Sequence, residues 1–130
     1  MQELIAHEQR PTAPVPVWRQ LFVLLGGPII WFVHLALSYP LVPHVCATGW
    51  TWLLHTITVV TMVIALLTSW VGWSDYRWLR TIEEPDRPTK RARFLARYGI
   101  WSGIFWAVVI VAEGLPVFVI DPCSWNVPSV

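Results

Sequence analysis

The sequence predicts an all-α membrane protein of three transmembrane helices, with its N-terminus in the cytoplasm and its C-terminus outside. Three observations predict it. The chain is 55% apolar and 13% charged over 130 residues, with a positive mean hydropathy, a balance foreign to ordinary soluble domains. From Gln20 to Ser74 there is no Asp, Glu, Lys or Arg, a run much too long for one span of about 20 residues and right for two. A further apolar stretch, Phe94 to Ile120, is interrupted only by Arg97 and Glu113.

Residues 1–16 carry two acids and three prolines and lack the basic leader of a signal peptide, so they read as a solvated cytoplasmic arm. The transmembrane domain then covers residues 17–120, with spans at about 17–40, 50–73 and 94–120. Pro40, Pro43 and Gly49 mark a short loop between the first two spans. A basic loop, 74–93, precedes the third, and 121–130 form a tail. Val45 stands where lipid attachment at Cys46 would require a small residue, so that thiol is not read as acylated.

Orientation follows from the basic residues. All nine lie before the first span or between and at the edges of the second and third, and none lies in "PHVCATGW" or after Ile120. The positive-inside rule therefore puts the arm and the basic loop in the cytoplasm, as expected for a multi-pass protein of a bacterial inner membrane. Tryptophans agree with these levels: Trp18, Trp70, Trp73 and Trp78 fall at the inner interface and Trp50, Trp52 and Trp125 at the outer one, where an apolar ring with one polar N–H is best solvated. Trp31, Trp101 and Trp106 lie deeper and read as packing residues.

This topology exposes both cysteines, Cys46 and Cys123, on an oxidising surface, where two lone cysteines ordinarily pair. Their bond would close a loop of about 77 residues and contribute on the order of 4 kcal/mol. Metal binding by free thiolates with His44, and pairing with another subunit, are the competing readings.

Counting inward from the cysteines, His34, His55 and Glu113 share one layer, roughly 8 to 13 Å below the outer helix ends by helical rise. Ser38 belongs to the same polar stripe as Trp31 and His34. A lone carboxylate in hydrocarbon costs about 2.5 to 3.5 kcal/mol on insertion scales, so Glu113 is expected to face a partner, with His34 or His55 the candidates, or to be protonated. Four uses of the layer compete: hydrogen bonding between helices, contact with another subunit, ligation of haem b or copper by His34 and His55, and a quinone or proton role centred on Glu113. Against haem, three helices offer little wall for a macrocycle and neither histidine has neighbouring glycines. For copper, His34, His55 and Met62 are a soft set without a metal-handling motif around them.

No phosphate loop, nucleophile elbow or metalloprotease helix is present, so no chemistry of its own is expected. Gly26, Gly27 and Pro28 read as a kink or a close helix approach. In the basic loop, Arg77, Arg80, Lys90, Arg91 and Arg93 form a surface for anionic lipid, at about 1 kcal/mol each, or for an acidic partner; setting topology alone would equally explain them.

The segments "GGPIIWFVHLALSYPLVPHVC", "LHTIT" and "AEGLPVFVIDPC" together resemble a group of small three-span bacterial membrane proteins encoded beside haem-copper cytochrome oxidases. Gly27, Pro28, Trp31, His34, Ser38 and Tyr39 carry the resemblance in the first span, and His55 in the second. Gly114, Pro116 and the Asp121-Pro122-Cys123 triplet carry it in the third. That group has no firm biochemical assignment, so the resemblance implies association with an electron-transfer complex and not an activity. The expected partners are thus other membrane subunits and lipid, not nucleic acid, with no cofactor of the chain's own. A haem b-binding redox subunit using His34 and His55 is the first alternative, and a quinone-site or proton-path component centred on Glu113 the second.

Overall fold

The computed structural model describes residues 15–124, which fold into three helices: α1 (Val17–Thr48), α2 (Trp52–Leu79) and α3 (Arg87–Val119). Each is long and apolar enough to cross a membrane, so the chain is a multi-pass membrane protein. Tertiary pairs give the topology. Arg19 meets Asp75 and His34 meets Thr61, so α1 and α2 run antiparallel; Trp31 meets Glu113 and Cys46 meets Cys123, so α1 and α3 run parallel.

The helices extend beyond the expected spans, and Pro40 and Pro43 are helical, correcting their reading as loop residues. A proline bends a helix without ending it when neighbouring groups take up the freed carbonyl. The first true stop is Gly49, whose φ of 76° is the left-handed conformation that glycine adopts without strain, and whose N–H closes on the Val45 carbonyl at 2.7 Å. At the other end α2 continues past Trp73 to Leu79, and α3 begins at Arg87, so much of the basic segment 74–93 is helical. Pro85 falls in the connection, but Pro88 opens α3, where a missing N–H has no cost. Asp86 caps that helix by accepting from the Thr89 N–H and hydroxyl. These bonds hold its carboxyl below the usual carboxylate range, so the cap's contribution is present above that range and fades as pH falls through the lowered value.

Both ends of the bundle are tied. Arg19 and Asp75 form an ion pair at 2.6 Å, and the Arg93 guanidinium donates to the carbonyls of Leu79 and Ile82, satisfying the end of α2 from α3. The other end carries the cysteines. Tryptophans mark both levels among the described residues, with Trp18, Trp70, Trp73 and Trp78 toward the arginine end and Trp50 and Trp52 toward the cysteine end; Trp125 lies outside the described residues. Trp101 departs from its packing role, because 70% of it is exposed.

Between these ends α2 and α3 approach through small residues. Gly99 and Gly103 form a G-x-x-x-G pair on α3, and Ala92, Ala96 and Ala107 continue the same buried stripe. A Cβ on Gly103 would lie 2.7 Å from the Ser69 nitrogen and 2.8 Å from the Ala65 oxygen, and one on Gly72 2.9 Å from the Ala96 oxygen. With lipid as solvent, helix association rests on such packing and on interhelical hydrogen bonds; here the Ser69 hydroxyl donates to the Ile100 carbonyl of the facing helix. Gly103→Ala should therefore lower stability by about 1–3 kcal/mol, because the obstructing atoms are backbone. Unfolding in a denaturing detergent titration checks this, with Leu115→Ala, at a half-exposed position, expected to change little.

Candidate functional site

Asp121 shapes the cysteine end. Its carboxylate accepts from the Cys123 N–H at 3.0 Å and its carbonyl from the Ser124 N–H at 3.0 Å, a local turn typical of aspartate. The turn brings Cys123 back toward Cys46, and the two are joined at disulfide distance with Cα atoms 5.4 Å apart. The link ties the C-terminal ends of two parallel helices, so it fixes α1 and α3 in axial register.

The expected polar layer divides in two. His34, on α1, is 4% exposed, and its Nδ1 lies 3.1 Å from the Thr61 hydroxyl of α2. The same hydroxyl donates to the Ile57 carbonyl at 2.7 Å, so Thr61 links the His34 ring to the backbone of α2. Glu113 takes a different partner from the one expected. Its carboxylate accepts the indole N–H of Trp31 at 3.0 Å, and the Trp31 ring packs on Trp106 with centroids 4.9 Å apart. Trp31 reads from the sequence as a packing residue, but an indole N–H in hydrocarbon needs an acceptor, and Glu113 supplies it. Glu113 itself is exposed on the surface of the bundle.

His55 does not join them. It stacks on Phe118 with ring centroids 4.2 Å apart and stands six residues from Thr61 along α2, about 9 Å nearer the cysteine end. The miscount has a physical source: α1 runs on to Thr48, so distance from Cys46 is not distance from a helix end. Ser38 is half-buried, one helical turn beyond His34.

A haem fits these residues poorly. Its two axial imidazoles must face one slot, whereas His34 is committed to a buried contact with α2 and His55 to a ring on α3. Among the described residues no three His, Cys, Asp or Glu side chains gather in a group that could hold a metal ion.

The basic surface also divides. Arg80, Lys90 and Arg93 line a cleft between α2 and α3, Arg77 lies beside Trp70, Trp73 and Trp78, and Arg91 is exposed away from both. Arg19 and Asp75 were not foreseen as a pair, although they are the charges that bracket the uncharged run; folding that run as a hairpin brings its ends together. Comparison with family models, curated proteins and solved structures finds no match.

The cysteine pair is checked by labelling. The untreated protein should take up no thiol reagent and should take up two equivalents after reduction. Cys123→Ser should lower unfolding stability by about 2–4 kcal/mol, whereas uptake before reduction would show free thiols.

Proposed function

We propose that the chain is a non-catalytic accessory subunit or assembly factor of a membrane electron-transfer complex, a haem-copper cytochrome oxidase being the foremost candidate. On this reading it sits in a bacterial inner membrane, with the arginine end in the cytoplasm and the cysteine end outside. The observation that supports it is the position of Glu113. In register, Glu113 is next to Gly114, which packs against Thr58 of α2, and Thr58 is six residues inside the start of that helix. Glu113 therefore stands about 9 Å from the helix ends at the cysteine end, within an apolar span and on the outer face of the bundle, with one hydrogen bond from Trp31.

A carboxylate has acceptor capacity for several donors, and in a monomer the remainder would face lipid at a cost of kcal/mol. A donor from a neighbouring membrane subunit removes that cost. Polar groups inside the bundle are, by contrast, largely answered within the chain, as His34 is by Thr61, which leaves the internal residues a structural role. The choice of an oxidase as the partner complex rests on the resemblance of the motifs in the three helices to the oxidase-linked group.

Glu113→Gln and Glu113→Leu test the reading in cells carrying a tagged chain. Gln keeps the shape and hydrogen-bonding capacity, so assembly, scored by co-purification of oxidase subunits in mild detergent, should be retained. Leu should weaken association by about 1–3 kcal/mol by stranding the donors on both sides. Reduced turnover of a fully assembled Gln variant would instead mark a proton path, and parental behaviour of both variants would remove Glu113 from the account.

A further inference from the structure

Toward the arginine end, a cleft of about 860 Å³ between α2 and α3 is lined by Tyr76, Arg80, Lys90, Arg93, Phe94, Arg97 and Trp101. Four of these side chains are cationic and no acid lines the space. Arg93 is occupied, since it holds the carbonyls of Leu79 and Ile82. Arg80, Lys90 and Arg97 are exposed, and among the described residues the ion pair found is elsewhere, between Arg19 and Asp75. Arg80 leans over the Tyr76 ring, 5.9 Å from its centroid, which presents its guanidinium at the cleft without neutralising it.

The apolar lining lies between the cations, at Phe94, and on their membrane side, at Trp101. Trp101 is one helical turn deeper along α3 than Arg97, and both it and Phe94 are largely exposed, at 70% and 69%. Lys90 and Arg97 stand about 10 Å apart along α3, with Phe94 between them and Trp101 deeper, so the lining matches a molecule with separated anionic groups and an apolar body. The volume is several times that of one phosphate, and a surplus of positive charge faces it. We propose that this cleft binds an anionic phospholipid whose headgroup carries two phosphates, with Arg80, Lys90 and Arg97 holding the phosphates and Phe94 and Trp101 lining the path of an acyl chain. Interhelical basic pockets are suited to such headgroups, and guanidinium forks match phosphate oxygens in pairs. The site stands apart from the accessory-subunit reading and from orientation, because headgroups border the membrane on both sides.

Native mass spectrometry of the purified full chain tests it, with cardiolipin or phosphatidylglycerol added at equal phosphate. Cardiolipin should be retained the more strongly. Lys90→Gln should weaken retention about fivefold and the Arg80→Gln, Arg97→Gln pair about thirtyfold, at about fivefold per charge removed. The Arg77→Gln, Arg91→Gln pair, which removes the same charge outside the cleft, should change retention less than about twofold. All these positions are exposed, so folding is not at stake. Equal losses in the two pairs would reduce the effect to general charge attraction, and equal retention of phosphatidylglycerol would overturn the two-phosphate headgroup.

Discussion

Hydrocarbon supplies no water to complete a hydrogen bond, so every polar side chain placed in it must be answered by the protein itself. The bundle is organised around that constraint. The hydroxyls of Thr56, Thr58, Thr61 and Thr68 fold back onto carbonyls one turn earlier in α2, Ser69 reaches across to α3, and Thr61 also meets His34. Two groups depart from that constraint: the buried Ser102 hydroxyl has no partner among the described residues, and Glu113 is exposed on the outer face. Its partner Trp31 satisfies part of the carboxylate, and the rest faces outward.

Such pairings depend on helices that nearly touch. Gly99 and Gly103 let the backbone of α3 come against Ala65, Ser69 and Val23, close enough for a short serine side chain to bridge two helices. Gly27 makes room for Trp106, and Trp106 in turn braces the Trp31 ring that donates to Glu113. A chain of contacts thus runs from the small-residue seam to the exposed acid. The Cys46–Cys123 link holds α1 and α3 in the register that this chain of contacts requires.

Much of this was legible in the sequence. Three helices follow from the uncharged run and the second apolar stretch, and the cysteine pairing follows from putting both at one end. What the sequence obscured were helix lengths and faces. Pro40 and Pro43 signal a loop in water but are carried inside α1, and that error of length put His55 level with His34. The partner of Glu113 was missed because histidine is the more familiar answer to a carboxylate, although an indole N–H in hydrocarbon needs an acceptor just as much. The G-x-x-x-G pair at Gly99 and Gly103 is visible in the sequence, but which helix it meets, like the division of the arginines into capping, cleft and surface groups, depends on helix rotation, which no local pattern specifies.

The central claim is that the face bearing Glu113 is a contact surface for another membrane protein. Site-specific photocrosslinking in native membranes tests it most directly, with a photoreactive residue introduced at Ala112, beside Glu113, and separately at Val63 on the exposed side of α2. Position 112 should yield a discrete adduct with an oxidase subunit, identified by mass spectrometry, and position 63 none. Adducts with lipid alone from position 112, or the same protein captured equally from both positions, would contradict the account.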